Sequence, residues 1–361
     1  MVAMCSSFTA VAAVLFVVVA GNTWTQLSPS NPIPGIGRSA MIWDEVGEGA
    51  FLFGGEAMPS YTKTNALYFY SKSLNAWAVK SSTGAPPARH MHTVVLRTPQ
   101  RILYVFAGGI RDIHSSATGQ LFSDLFGYNV ATDSWTQLTS HTTPRALHTA
   151  VWDTASDRMI VYGGEADDAS KTKLGDVVEY DPSSDTWSSP SVGTEPNARS
   201  GHVAVWDGTS EVMLMCCGHG DVSVYNPFVS SSEQHYNDLW SYSDSSGWTE
   251  LVQFGSFTPR RELAAVWDAN TRSLLGYGGR FTTGELDSMF YYFSTTDSFD
   301  QETLAGPTAR DAHSATWNPY PYINYNDFHH FNNEFHDFQL FNSHCHGFQQ
   351  HHADKKQFFR H

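Results

Sequence analysis

Cysteine is scarce in this sequence, with four residues among 361. So few thiols exclude the disulfide framework on which many small secreted domains depend. Cys216 and Cys217 are neighbours in a run typical of a β-strand, and we expect them to be buried free thiols. Because secreted proteins usually avoid free thiols, this pair slightly favours a cytosolic location.

Basic residues are also few. The chain has 21 Lys and Arg against 36 Asp and Glu, which gives a formal net charge of −15 at pH 7. Polyanions repel so acidic a chain. The composition therefore argues against nucleic acids and anionic membrane surfaces as partners.

Long hydrophobic runs are rare. Residues 8–20 form one apolar run, which is too short to span a bilayer comfortably, so no stable membrane span is expected. The run ends in a small residue suited to cleavage and resembles a secretory signal peptide. We predict that residues 1–20 are a signal and that the protein is secreted. No Lys or Arg precedes the run, so a cytosolic protein with a mispredicted start codon is the alternative.

A sustained helical period is missing before residue 320, so helices should be scarce. A cassette recurs instead, in which a glycine pair precedes a Tyr, and a large aromatic residue follows that Tyr by six or seven positions. The Tyr-to-aromatic pairs are Tyr70 and Trp77, Tyr128 and Trp135, Tyr180 and Trp187, Tyr242 and Trp248, and Tyr292 and Phe299. The glycine pairs are Gly54-Gly55, Gly108-Gly109, Gly163-Gly164 and Gly278-Gly279, with Gly218-His219-Gly220 as a degenerate member.

The aromatic residues, counted from Trp24, are separated by 53, 58, 52, 61 and 51 residues, which is the period of a propeller blade with loop insertions. Each repeat contains short runs rich in β-branched and aromatic residues between turn signals. In the third repeat these runs are 148–153, 158–164, 175–180 and a segment that opens at Trp187. One repeat is therefore predicted to form one four-stranded sheet.

This spacing resembles the kelch repeat, the β-propeller unit also found in galactose oxidase, over about residues 24–318. The resemblance implies an all-β fold in which blades surround a central channel. Trp-Asp pairs occur at Trp43, Trp152, Trp206 and Trp267. They fall between the first two strands of a repeat, and the period is too long for WD40 blades.

Five repeats are complete, and residues 307–317 begin a sixth. Residues 24–27 match the last strand of a blade, and propellers similar to this one close by combining terminal strands. We therefore predict a kelch-type propeller within residues 21–318. It should have six blades, of which the sixth lacks its two middle strands and is closed by the N-terminal strand.

Residues 319–361 are rich in His, Phe and Asn and contain eight of the 17 histidines. A disordered tail, a wrongly spliced or mistranslated end, and a metal-binding tail are all consistent with this composition. The metal ligands would be His344, Cys345, His346, His351 and His352. Because clustered histidines lack a defined ligand spacing, no metal is predicted.

Arg followed three residues later by His opens the first strand of four repeats, at Arg89, Arg145, Arg199 and Arg310. The fifth repeat keeps Arg260 without the histidine. By resemblance these residues lie nearest the channel, where five guanidinium groups would form a ring that binds carboxylates or other anions. Alternatively, each Arg and His satisfies carbonyl groups of neighbouring blades and recurs because the blade recurs.

The loops between second and third strands vary most in length and should emerge on one face. They carry Arg111, His114, Asp168, His235 and Arg280. Mixed charge with aromatic residues suits recognition of a protein or a glycan. Solvated loops without a partner are the alternative.

Catalytic motifs are weak: the sequence has no HExxH, P-loop or nucleophile elbow. The copper site of galactose oxidase includes a Tyr-Cys crosslink, whereas Cys216 and Cys217 fall inside a strand. We expect a monomeric, non-enzymatic protein without a cofactor that recognises a protein, or a glycan, through its loop face and channel mouth. The alternative is a galactose-oxidase-like or sugar-acid enzyme that uses the same channel.

Overall fold

The computed structural model describes residues 15–19, 23–111, 119–191, 193, 195–221, 233–251, 257–282, 284–302, 313–318 and 337–341. All regular elements among these residues are β-strands, and every pair of named strands is antiparallel. Within the same ranges no helix is long and apolar enough to cross a lipid bilayer. The predicted all-β class is confirmed.

Five sheets repeat one order, with the first strand at one edge and the fourth at the other; we call them units 1 to 5. Unit 1 contains Ala40–Asp44, Gly49–Phe53, Leu67–Ser71 and Ala76–Val79, and unit 2 contains Thr93–Arg97, Ile102–Phe106, Leu125–Asn129 and Ser134–Leu138. Unit 3 contains Thr149–Asp153, Arg158–Ala166, Lys173–Asp181 and Thr186–Ser188. Unit 4 contains Val203–Asp207, Val212–Cys216, Leu239–Ser243 and Gly247–Glu250, and unit 5 contains Ala264–Asp268, Ser273–Tyr277, Met289–Phe293 and Ser298–Glu302.

The recurring Tyr of the cassette fixes the hairpin that presents the large aromatic residue. In unit 3 the hydroxyl of Tyr180 donates to Asp185 at 2.7 Å, and Asp185 takes a left-handed φ of 54° at the hairpin. Asp and Asn tolerate that conformation better than most residues. The same bond joins Tyr70 to Asn75, Tyr128 to Asp133 and Tyr292 to Asp297.

The apolar core lies between successive units. Trp135 of unit 2 packs against Tyr128 of its own sheet and against Phe53 of unit 1, with ring centroids 5.0 and 5.3 Å apart. Trp187 contacts Phe106 of unit 2 in the same way. A buried indole removes roughly 150–250 Å² from water, worth up to about 4–6 kcal/mol. The large aromatic residues therefore join the sheets, as their spacing predicts.

A terminal sheet combines both ends of the described chain. Its strands, in order across the sheet, are Thr23–Leu27, Leu15–Val19, Asp337–Phe341 and Ser314–Asn318. The sequence predicts the two outer strands but not the two inner ones. The expectation that this sheet lacks its two middle strands is therefore wrong. The inner strands come from the predicted signal segment and from the His-rich tail, whose composition and position hide any blade pattern.

The glycine pairs mark a left-handed pair of residues after the second strand, or, in unit 3, inside the long second strand Arg158–Ala166. The pairs with positive φ are Gly54-Gly55, Ala107-Gly108, Gly163-Gly164, Cys217-Gly218 and Gly278-Gly279. In units 2 and 4 the pair therefore begins one residue earlier than the glycine pattern indicates. A Cβ at Gly108 would lie 2.6 Å from the carbonyl oxygen of His90, which explains why the second position is glycine throughout.

The segments that enter the first strands and the loops between second and third strands share one end of each unit, because the strands are antiparallel. We call this end the loop face. It carries the short strands Ile36–Gly37, Glu56–Ala57, Thr62–Lys63, Arg145–Ala146, His219–Asp221, Glu233–His235, Arg280–Phe281 and Gly284–Glu285. The hairpins that hold Val46 and Leu74 lie at the opposite end.

Candidate functional site

The arginines at the start of the first strands are buried and connect parts of their own units. Arg89, Arg145, Arg199 and Arg260 are all 0% exposed. In each of them Nη1 donates to the carbonyl group 18 residues later, on the first residue of the left-handed pair, at 2.9–3.1 Å. The guanidinium group therefore holds the end of the second strand against the start of the first.

Three of these arginines also bind an aspartate through both guanidinium nitrogens. Arg145 reaches Asp176 at 3.1 and 2.8 Å, and Arg199 reaches Asp238 at 2.5 and 2.6 Å. Arg89 reaches Asp124 at 2.5 and 2.8 Å. These internal carboxylates occupy the positions that a bound anion would take.

A ring of surface cations was one of two sequence-based interpretations of these arginines, and the four described ones do not form it. Their side chains expose no surface to a partner. Their hydrogen bonds are structural, as the alternative interpretation predicts, but they lie within each arginine's own unit and not on carbonyl groups of neighbouring blades. The fifth member of the expected ring, Arg310, lies outside the described residues.

The aspartate partners were missed in the sequence although a signal was present. Asp124, Asp176 and Asp238 each precede the cassette Tyr by four residues. Unit 1 has Ile36 at the arginine position and Ala66 at the aspartate position, so both partners are absent together. In unit 5 Ser288 takes the aspartate position, and Arg260 Nη2 donates to its hydroxyl at 2.9 Å.

The histidines of the pattern join neighbouring units. His148 Nε2 lies 2.8 Å from the hydroxyl of Thr93 in unit 2, and His202 Nε2 lies 2.8 Å from the hydroxyl of Thr149 in unit 3. Burial, with the nearby Arg199, lowers the pKa of His202 to about 3. This imidazole is therefore neutral at physiological pH and adds no positive charge to the site.

A belt of backbone hydrogen bonds crosses the five units at the residue before each histidine position. Successive N to O distances are 3.3 Å from Met91 to Arg38, 3.1 Å from Leu147 to Met91, 2.9 Å from Gly201 to Leu147 and 2.8 Å from Glu262 to Gly201. All five residues have a left-handed φ between 52° and 62°. The backbone is therefore the same at all five positions, although the side chains differ.

A cavity of about 160 Å³ lies against this belt. Its lining combines residues of all five units with one from the entrance to the terminal sheet: Arg38, Ser39, Met91, His92, Leu147, His148, Gly201, His202, Glu262, Leu263 and His313. The lining is chemically uneven, with a cation in unit 1, an anion in unit 5, and apolar side chains and histidines between them.

Glu56 gathers three basic side chains at the loop face of unit 1. It is 1% exposed, and its oxygens lie 3.1 Å from Arg38 Nη1, 3.2 Å from Lys63 Nζ and 3.0 Å from His90 Nδ1. Burial raises the pKa of Glu56, but the hydrogen bond and charge of His90, together with Arg38 and Lys63, lower it to about 2. The carboxylate is ionised and offsets part of the positive charge of Arg38 and Lys63.

Arg111 is buried and connects the loop of unit 2 to unit 3. Its Nη2 donates to the carbonyl oxygen of Ala166 at 2.9 Å, and Nη1 lies 3.8 Å from Glu165. Glu165 also accepts from Lys173 Nζ at 3.0 Å. This predicted site residue therefore fixes two neighbouring loops relative to each other.

His235 contributes to a contact between units 4 and 5. Its ring stacks on His219 at 6.1 Å and meets Phe281 edge-on at 5.4 Å. His219 Nε2 in turn lies 3.0 Å from Arg261 Nη1. The predicted site residue is buried, and the aromatic rings hold the loops of the two units together.

The other predicted loop residues stay within their own loops. Asp168 is exposed and accepts from the backbone NH of Thr172 at 2.9 Å, and the hydrogen bonds of Thr172 lower its pKa. Arg280 is 46% exposed and lies 3.9 Å from Glu285. His114 lies outside the described residues, as do the five candidate ligands of the tail. Among the residues that are described, no three His, Cys, Asp or Glu side chains form a metal-binding group.

A family model described as the KLHDC2/KLHL20/DRC7 Kelch-repeats domain matches residues 37–243 and, in a second register, residues 103–319. The chain belongs to the kelch-repeat family. The two matches together span units 1 to 5 and reach the strand Ser314–Asn318. The resemblance carried by the Gly, Tyr and Trp cassette is confirmed, and the sheets are blades of a kelch β-propeller. Kelch domains generally mediate protein interactions.

Proposed function

We propose that this kelch propeller is a non-enzymatic binding protein that recognises a protein partner through the loop face and the cavity beneath it. The observation that carries the proposal is the belt at Arg38, Met91, Leu147, Gly201 and Glu262. Five equivalent backbone positions there are occupied by five different residue types around one cavity.

The backbone conformation of the belt makes side chains at these positions energetically unfavourable. A left-handed φ costs a non-glycine residue roughly 1–2 kcal/mol, so a requirement of the fold alone would favour glycine at every belt position. Of the five belt positions, only position 201 is occupied by glycine. Side chains kept despite that cost, at the mouth of a cavity, are expected to serve recognition.

The chemistry of the loop face favours a protein over a glycan. Exposed Arg280 and partly exposed Glu285 carry opposite charges, and Ile110 is 45% exposed in the loop of unit 2. A surface that carries charges of both signs and an exposed apolar side chain is typical of protein interfaces. Binding of a glycan through the same face is the competing result, and a glycan array distinguishes it from a protein partner.

We also propose that the five units and the terminal sheet close into one six-bladed ring in a monomer. The support is that the strand Ser314–Asn318 contacts both Ala264–Asp268 of unit 5 and Ala40–Asp44 of unit 1. First strands of successive units contact one another as well. A propeller leaves only short sheet edges at which another chain could add a strand, which favours a monomer.

The test compares two double variants of the full chain. Ile110→Asp with Arg280→Glu alters the loop face, and Val46→Asp with Leu74→Asp alters exposed residues at the opposite end. Proteins that copurify with the tagged chain are identified, and the affinity of each is then measured with purified components.

A true partner should bind the loop-face variant at least about tenfold more weakly than it binds the parent protein. Its affinity for the control variant should be within about twofold of its affinity for the parent. Urea unfolding verifies that both variants are folded. Equal losses in both variants, or full affinity in the loop-face variant, would contradict the proposal. Binding to a glycan array that is lost in the same variant would replace the protein partner by a glycan.

A further inference from the structure

Cys216 and Cys217 direct both thiols to the same place. Successive side chains of a strand normally point to opposite faces of the sheet. Cys216 ends the strand Val212–Cys216, and the left-handed φ of 70° at Cys217 breaks this alternation. The two Sγ atoms lie 2.7 Å apart, and both residues are fully buried. The thiols are therefore held within reach of each other by the backbone.

The scaffold does not require a thiol at Cys217. The equivalent first position of the left-handed pair is Gly54 in unit 1, Ala107 in unit 2, Gly163 in unit 3 and Gly278 in unit 5. A side chain larger than hydrogen costs free energy in this conformation. An unfavourable backbone conformation that brings two thiol groups together indicates a chemical use for the pair.

The peptide bond that joins Cys217 to Gly218 leads into the loop of unit 4 and forms hydrogen bonds on both sides. The carbonyl oxygen of Cys217 accepts from Arg199 Nη1 at 3.0 Å, and Arg199 also holds Asp238. The adjacent Gly218 accepts from the NH of Tyr236 at 2.9 Å and donates to the carbonyl of Arg260 at 2.8 Å. A rotation of this peptide would therefore be felt by the base of the loop and by unit 5.

We propose that Cys216 and Cys217 are a redox site that interconverts between the dithiol and a vicinal disulfide. Glutathione disulfide, or another small disulfide, is the oxidant. One cysteine sulfur attacks it, forms a mixed disulfide and releases one glutathione thiol. The second cysteine sulfur then displaces the other glutathione, so that two cysteine S–H bonds are replaced by one S–S bond and the oxidant is reduced to two glutathione molecules. Two protons leave the cysteines and are taken up by the two glutathione thiolates.

The redox site should be easily reduced. Adjacent Cα atoms are about 3.8 Å apart across a trans peptide bond, which is shorter than the span that an ordinary disulfide prefers. A strained disulfide has a more oxidising potential than a structural one. Formation of the bond should also reorient the Cys217 carbonyl group and weaken its hydrogen bond with Arg199.

The experiment uses the full chain with Cys5→Ser and Cys345→Ser, which remove the other two thiols. The protein is refolded from urea in mixtures of glutathione and glutathione disulfide, so that burial of the thiols does not limit the reaction. Remaining thiols are then alkylated in denaturant, and the peptide that contains both cysteines is analysed by mass spectrometry. Oxidising mixtures should give a peptide lighter by two hydrogen atoms and unalkylated, and reducing mixtures should give the doubly alkylated peptide.

Cys217→Gly is the matched variant, because glycine occupies the equivalent position in units 1, 3 and 5 and should preserve folding. In the parent protein the amide hydrogen exchange of the segment around Tyr236 should be at least about twofold faster in the oxidised form, whereas the variant should not respond to the redox mixture. Two alkylated thiols in every mixture, a stable glutathione adduct, or a disulfide between two chains would each overturn the proposal.

Discussion

The guanidinium group of Arg145 forms two parallel hydrogen bonds with the carboxylate of Asp176, across 31 residues of chain. Arg145 is fully buried, whereas Asp176 is 42% exposed. The pair joins the segment before the first strand of unit 3 to its third strand, at the loop face. The recurring Arg-x-x-His pattern is therefore a signature of the scaffold.

Asp176→Asn should destabilise the protein by about 3 kcal/mol, because it leaves a buried guanidinium group without its carboxylate. Urea unfolding followed by tryptophan fluorescence measures the change. Asp300→Asn, at an exposed position of unit 5, is the control and should change the free energy of unfolding by less than about 0.5 kcal/mol. An unfolding midpoint of Asp176→Asn equal to that of the parent would show that the ion pair is not needed.

Ser288→Asp should stabilise unit 5 by about 1 kcal/mol, since it places a carboxylate opposite buried Arg260 as in units 2, 3 and 4. Burial lowers the pKa of Arg260, and a carboxylate would oppose this effect. Ser288→Asn has nearly the same size without the charge and serves as the matched control. The expectation fails if both variants have the same free energy of unfolding.

Glu56 should make stability depend on acid. Its pKa is lowered from 4.5 to about 2 in the folded state, so its stabilising contribution is present above about pH 4.5 and is lost as the pH falls towards 2. The full contribution is about 3 kcal/mol. Glu56→Gln should remove it, and the difference in unfolding free energy between parent and variant should shrink between about pH 6 and about pH 3. A difference that stays constant over this range would refute the assignment.

Val17→Pro should weaken the terminal sheet, because Val17 lies in an inner strand paired with Thr25 on one side and Gln339 on the other. Proline removes the backbone NH and should cost about 3 kcal/mol. Val17→Thr keeps that group and a branched side chain, so it should unfold close to the parent in urea. If both variants behave like the parent, the strand does not contribute to the fold.

We propose secretion on the basis of residues 8–20, and this proposal competes with the terminal sheet for the same residues. Cleavage after residue 20 would remove the strand Leu15–Val19. N-terminal sequencing of the protein isolated from its source should therefore find either a cleaved chain, which has lost this strand, or an uncleaved one. A cleaved chain that unfolds at the same urea concentration as the full chain would support the signal over the strand.

The repeats were predictable because one local pattern recurs with a fixed period. The four-stranded order, the hairpins with Asp185 and its equivalents, and the packing of Trp135 and Trp187 all follow from short stretches of sequence. The register of the glycine pairs in units 2 and 4 did not, because Ala107 and Cys217 adopt a backbone conformation that their side chains do not reveal. The strand Asp337–Phe341 was hidden in the same way, since its composition lacks any blade signature.

The sequence by itself determined that this chain is a kelch propeller, because the cassette recurs with a fixed period and supplies the large aromatic residue of each unit. In units 1, 2, 3 and 5 the cassette Tyr also fixes the hairpin. Tertiary structure decided what the arginines do, because Arg89, Arg145 and Arg199 bind aspartates 31–39 residues away that fold against them. It also decided which positions surround the cavity. The belt unites Arg38 and Glu262, far apart in the chain, because five separate sheets present the same backbone position to one place.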